Sequence, residues 1–149
     1  MIKKIAHLAD IHVRKSPLRY EEYQLVFNNL INSLSEKKPD RIVIIGDLVH
    51  DYLDLQGEQL ILVRELLKSL SKIAPVRIVR GNHDANLERL LPQDIVMYPA
   101  SGIVVDDVGL FHGHKWPSPE LLGCKTLVMG HLHPVVTLSD PTGIKLTRQ

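Results

Sequence analysis

Among 149 residues there is one cysteine, Cys124, so no internal disulfide can staple the chain, and a reducing, cytoplasmic setting is the expectation. There is also no surplus of charge. Eighteen Lys and Arg stand against 17 Asp and Glu, a formal net charge of +1, which argues against a broad cationic surface for long nucleic acid but leaves local basic patches open. No apolar run approaches the roughly 20 residues that a membrane span needs, and the start shows no cationic stretch leading into a long apolar segment, so no membrane partner is expected. Internal repeats, low-complexity tracts and linkers are missing as well. The 44% hydrophobic and 23% charged residues are ordinary globular values, and the length predicts a single domain over 1–149.

What is present is an alternation of strand-like and helix-like segments. "KKIAHLADIH" reads as a strand ending near Asp10, and "RIVIIGD" and "VRIVRGNHD" as β-branched runs that end in Gly and then polar residues. Between them, Glu21 to Lys37 sets Tyr23, Val26, Phe27, Leu30, Ile31 and Leu34 at helical spacing before Pro39. Glu58 to Ile73 does the same with Leu60, Val63, Leu66, Leu67 and Leu70 before Pro75. This βαβαβ order predicts a parallel, doubly wound beginning. Further on, "DIVMYP", "GIVVDD", "VGLFHGH" and "KTLVMGH" read as shorter strands, and "SPELLG" as a short helix capped by Ser118. The end reads as a hairpin around Asp140 to Gly143.

Each polar cluster falls at the carboxyl end of a predicted strand: Asp10 and His12, Gly46 and Asp47, Gly81 to Asp84, His112 and His114, His131 and His133. Ligand sites of α/β sheets collect at that edge. Donors of the His, Asp and Asn type, without cysteine, suit Mn²⁺, Fe²⁺, Zn²⁺ or Ni²⁺, whereas an all-carboxylate set would favour Mg²⁺ or Ca²⁺. Asp47 is the central candidate for a carboxylate bridging two cations, and paired cations suit in-line displacement at phosphorus. Hydrolysis of a phosphoester is the chemistry this set predicts.

The ordered motifs D-x-H (Asp10, His12), G-D (Gly46, Asp47), G-N-H-D (Gly81 to Asp84), H (His112) and G-H-x-H (Gly130 to His133) resemble the calcineurin-like metallophosphoesterase superfamily. The resemblance implies a four-layered α/β/β/α sandwich in a compact version, with two divalent cations, Mn²⁺ first and Fe²⁺, Zn²⁺, Ni²⁺ or Mg²⁺ as alternatives. It assigns Asp10, His12, Asp47 and His133 to one metal, and Asp47, Asn82, His112 and His131 to the other. His83 becomes the non-ligand acid. "GDLVHD", with His50 three residues after Asp47, and "RGNHDANL" are similar to the SbcD-like nuclease branch. "GLFHGHKWPSPELLGCKTLVMGHLHP" is closer to small archaeal and ligase-associated phosphoesterases.

The implied function is hydrolysis of phosphodiesters in nucleic acid ends, single strands or nucleotide-like diesters. A phosphomonoesterase and a non-catalytic interaction module are the alternatives. His50 is read as a substrate or supporting residue, Arg14 (with Lys15 and Arg19) and His114 as substrate contacts, and DNA or RNA as the partner, with a homodimer left open. Asp51 and Asp54 read as solvated helix-start carboxylates, His7 as no ligand, Cys124 as a packed or idle thiol, and Trp116 more as loop packing than as a platform for a base.

Overall fold

Val and Ile, whose branched side chains suit a pleated backbone, fill β2 (Arg41–Ile45), and both faces of that strand are inaccessible to solvent: Ile42 and Ile44 on one side, Val43 and Ile45 on the other. Such a strand has to be central. It pairs in parallel with β1 (Ile5–Leu8) and β3 (Val76–Val79), and β3 pairs in parallel with β4 (Val96–Tyr98), giving a four-stranded sheet in the order β1-β2-β3-β4. The structure, a computed structural model, describes residues 4–13, 20–50, 57–139, 142–143 and 145–148.

Helices α1 (Tyr20–Lys37) and α2 (Glu58–Ile73) carry acidic residues in their first turns and lysines in their last, which complements the helix dipole. Their apolar stripes meet one face of the sheet. Tyr23, Phe27 and Leu34 of α1 and Val63, Leu66, Leu67 and Leu70 of α2 form one core with Ile42, Ile44 and Ile78. Val26, expected on that stripe, is 55% exposed, because it lies one position outside the row that runs through Tyr23, Phe27 and Leu34.

The opposite face of the first sheet meets a second one. β5 (Ile103–Val105) runs antiparallel to β6 (Val108–Phe111), and β6 is parallel to β7 (Thr126–Met129). Val43, Ile45 and Val79 pack there against Ile103, Val105 and Leu110. On the outer side of this sheet, Pro119–Gly123 forms a 3₁₀ turn whose Leu121 is buried beside Gly109 and Leu127. Ser118 precedes that turn but makes no side-chain cap. The turn is closed by the backbone instead, with Leu121 N–H donating to the Ser118 carbonyl at 3.0 Å and Ser118 N–H donating to Ser101 O at 2.9 Å. β8 (Val136–Ser139) and β9 (Lys145–Arg148) make the expected antiparallel hairpin, whose turn residues Asp140 and Pro141 lie outside the described residues. The layers are thus helices, sheet and sheet, with the outermost layer reduced, among the described residues, to the 3₁₀ turn.

One buried carboxylate fixes how the loops after β2 and β3 meet. Asp84 is wholly inaccessible. Its Oδ2 accepts N–H bonds from Asp47 and Gly81, each at 2.8 Å, and its Oδ1 accepts one from Leu48 at 3.0 Å. Burial pushes the carboxyl above its usual range, and the N–H donors pull against that rise. Gly81 is required at the crossing, since a Cβ there would fall on the Asp47 carboxylate and backbone nitrogen. Asp84→Asn puts an NH₂ opposite donors and leaves buried N–H groups unmet, at about 1–3 kcal/mol for each group. The expected result is an unfolding free energy lowered by that amount in a denaturant titration; an unchanged value would remove Asp84 from this role.

Candidate metal centre

The strand ends deliver the expected side chains to one place. Beyond β1 and β2 the two chains stay paired past the sheet, with Asp10 N–H donating to Gly46 O at 3.1 Å, His12 N–H to Asp47 O at 2.9 Å and Val13 N–H to Leu48 O at 3.0 Å. The second sheet is tied in by Gly130 N–H to His112 O at 3.1 Å and by His131 N–H to both Asp10 carboxylate oxygens at 3.2 and 3.0 Å. Asp10, His12, Asp47, His131 and His133 all adopt positive φ, between 41° and 71°, a region that non-glycine residues seldom occupy and that costs of order 1–3 kcal/mol at each position. The cross-links hold these residues there and turn their side chains into a common space.

Three donor groups converge, each with its ligand atoms within 4.8 Å of one another: Asp10, His12 and His133; Asp47, His112 and His131; and His12, His50 and His83. In the first, His133 Nε2 lies 3.3 Å from Asp10 Oδ1 and 3.4 Å from His12 Nε2. In the second, His112 is fully buried, with Nδ1 2.9 Å from the Ile45 carbonyl oxygen. A carbonyl only accepts, so Nδ1 carries the proton and Nε2 presents its lone pair, the arrangement usual for a metal-ligating histidine. That Nε2 faces Asp47 Oδ2 at 3.1 Å and Asn82 Oδ1 at 3.1 Å. Acceptors that face acceptors across such distances fit a cation. The donor set therefore suits divalent metal.

The electrostatics agree. Burial opposes the charged form of Asp47, but the His83 N–H at 3.0 Å and the proton that His112 Nε2 takes up when its ring is charged hold its pKa down to about 2. Burial lowers His12 below the ordinary histidine value against the pull of Asp47, which leaves its ring neutral and able to ligate. For His112 burial acts in the same direction, but the Asp47 hydrogen bond and the Ile45 carbonyl outweigh it and raise the pKa. His114 is lowered by burial and by the neighbouring His112 and His131.

Three histidines set aside from the ligands are also placed. His83 Nδ1 lies 2.6 Å from the His50 carbonyl, and the His50 and His83 rings stack at 4.9 Å with 18° between their planes. His50 Nδ1 is 3.5 Å from His12 Nδ1. The His114 ring stands 5.3 Å from that of His112 and 6.0 Å from that of His131, beside the second group rather than in it. Arg14, Lys15, Arg19, Asp51 and Asp54 lie outside the described residues. Sequence reasoning missed the support: the Asp84 clamp, signalled only by its place at the end of G-N-H-D, and the Ile45 carbonyl behind His112, which no sequence signal marks.

Histidine, aspartate and asparagine donors gathered at the carboxyl edge of two packed sheets define a metal-dependent phosphoesterase. The chain belongs to the calcineurin-like phosphoesterase family, whose model matches residues 3–148. It is 37% identical over 89 residues to an uncharacterized protein of Acanthamoeba polyphaga mimivirus, covering 58% of this chain and 6% of that protein. It is 33% identical over 85 residues to the DNA double-strand break repair protein Mre11 of Archaeoglobus fulgidus, covering 54% of this chain and 19% of that protein. The aligned parts are thus a small fraction of these relatives. The fold matches the crystal structure of the Pseudomonas putida nuclease MPE with a TM-score of 0.67 at 23% identity, over 95% of this chain and 66% of that one. Among the described residues, no helix is long and apolar enough to cross a membrane.

Two expectations follow for metal titrations. His112→Ala removes a buried donor, and Mn²⁺ affinity measured by calorimetry should fall by more than the roughly 10- to 100-fold typical of losing a supporting partner. His114→Ala should cost less, and the reverse order would give the ligand role to His114. Protons compete for His112 Nε2, whose pKa is raised above 6.5, so affinity in the unmodified protein should already decline as pH falls toward that value. A flat profile from pH 8 to 6 would contradict the assignment.

Proposed function

We propose that the chain is a two-cation phosphoesterase that hydrolyses phosphodiesters, in nucleic acid ends, single strands or nucleotide-like diesters. The observation that carries this reading is the place of Asp47 Oδ2, 3.6 Å from His12 Nε2 on one side and 3.1 Å from His112 Nε2 on the other. One carboxylate oxygen adjoins both donor groups. Asp10, His12, Asp47 and His133 would hold one cation, and Asp47, Asn82, His112 and His131 the other. Mixed nitrogen and oxygen donors suit Mn²⁺, with Fe²⁺, Zn²⁺, Ni²⁺ or Mg²⁺ as alternatives. A bound pair activates water and neutralises charge on the phosphoryl oxygens. The names of the similar proteins, a nuclease and a break-repair protein, support a diester.

His83 is the proton donor to the leaving oxygen in this reading. Its Nδ1–H is committed to the His50 carbonyl, so Nε2 is the atom left to exchange a proton with substrate. The stacked His50 ring on one side and the His12 ring, 5.1 Å away and nearly perpendicular, keep the plane of His83 fixed. His50 holds His83 in place through this carbonyl and this stack. His114 and Arg14 are assigned to substrate oxygens, Arg14 from its position in the sequence alone.

An activated aryl phosphodiester, the matching monoester and a single-stranded oligonucleotide, compared at equal Mn²⁺ and salt, test the proposal. The diester should turn over fastest and a chelator should abolish it. A faster monoester would make the protein a phosphomonoesterase, and bound metal without turnover of any ester would make it an interaction module.

His83→Ala should keep its metal content and lose about 10²- to 10⁴-fold in kcat. Loss of metal instead would place His83 with His12 and His50 as a ligand, since their ring nitrogens already lie within 4.8 Å of one another.

A further inference from the structure

Trp116, the chain's one tryptophan, is 92% exposed, contrary to the packing role its loop suggests. Tryptophan is ordinarily well buried, and this one does not sit on a loose end. The backbone before it leaves β6 through the buried His112, and the backbone after it is anchored by Ser118 N–H on Ser101 O at 2.9 Å. The indole borders a cleft of about 400 Å³ walled by Phe111, Met129, Trp116 and Pro117, with His114 and Lys115 as its polar residues. That volume falls within the roughly 300–1,000 Å³ of small-ligand sites.

The cleft opens beside the donor cluster. His114 belongs to both, lining the cleft while its ring stands 5.3 Å from that of His112. Its Nδ1 is buried and has no hydrogen-bond partner among the described residues. Trp116 follows two residues later, at most about 7 Å of extended chain away. An exposed aromatic plane, a cation beside it and a phosphate-handling centre next door make up the elements with which proteins hold single nucleotides.

We propose that this cleft takes the nucleobase attached to the phosphate at the donor cluster, with the base stacked on Trp116 and the Lys115 ammonium facing the next phosphate of the strand. The proposal rests on the phosphodiesterase reading above and narrows its substrate to nucleotide diesters. Stacking uses the face that all bases share, so the preference is for a base over none rather than for one base over another.

Because Trp116 is the sole tryptophan, its fluorescence reports the cleft without any turnover. In the Mn²⁺-loaded protein, adenosine 5′-monophosphate should quench it saturably, while ribose 5-phosphate and inorganic phosphate should compete for the site and quench little. In steady-state assays Trp116→Ala should lower the ratio of kcat/KM for a dinucleotide over that for a dimethyl phosphodiester by ~10-fold or more, and Trp116→Phe should restore most of it. Equal responses to adenosine 5′-monophosphate and ribose 5-phosphate, or none to either while phosphate competes, would overturn the cleft and leave the phosphodiesterase reading standing. Base-dependent quenching in a protein that hydrolyses no ester would do the opposite: the cleft would hold and the activity would fail.

Discussion

The Asp84 carboxylate, buried and surrounded by the N–H groups of Gly81, Asp47 and Leu48, is the contact on which the rest of the centre depends. β2 and β3 are neighbouring parallel strands, and nothing in their ladder dictates where the chain goes after they end. Asp84 does. It draws the loop after β3 over the end of β2 until only a glycine fits at position 81, and in doing so it sets His83 against Asp47 and Asn82 against His112. A neutral side chain could not accept so many N–H bonds at once, which is the physical reason for burying an acid where burial opposes its charge.

The clamp supports a centre that is strained in two senses. Backbone strain comes from the positive φ at Asp10, His12, Asp47, His131 and His133, held by the paired chain beyond β1 and β2 and by the His131 N–H on Asp10. Electrostatic strain comes from lone pairs that face lone pairs. Asp47, His112 and Asn82 present acceptors to each other, and a proton on His112 relieves part of this, as its raised pKa records. A cation relieves more of it, so metal binding and the stability of these loops are coupled. Preorganisation is the return on both costs, because donor groups already turned inward would need little rearrangement to take a cation.

Much of the fold was legible because it follows local rules. Helix α2 falls on the predicted Glu58 to Ile73, since its apolar spacing, its acidic start and the following Pro75 all agree. β2 was legible as a buried parallel strand because it has no polar face. Sheet membership was not legible. "DIVMYP" and "GIVVDD" look alike as sequence, but Val96 pairs beside Arg77 in the first sheet whereas Ile103 begins the second, and strand pairing between distant segments leaves no periodic trace in either partner. The Ser118 side-chain cap is not formed, and the Leu121 N–H bonds the Ser118 carbonyl instead.

By itself the sequence determined the chemical character of the centre, because histidine, aspartate and asparagine side chains after glycine-ended strands carry their ligand chemistry wherever they are placed. It also determined that each of these groups follows the carboxyl end of a strand; that the ends of two different sheets meet was decided by packing. Only the tertiary structure decided which nitrogen of each ring is left free, because that depends on a carbonyl 67 residues away in the case of His112 and 33 away in the case of His83. It likewise decided that Asp47 Oδ2 adjoins two donor groups and that Trp116 is left in water beside them. Those are distances across the packed sheets, and the order of residues along a chain does not contain them.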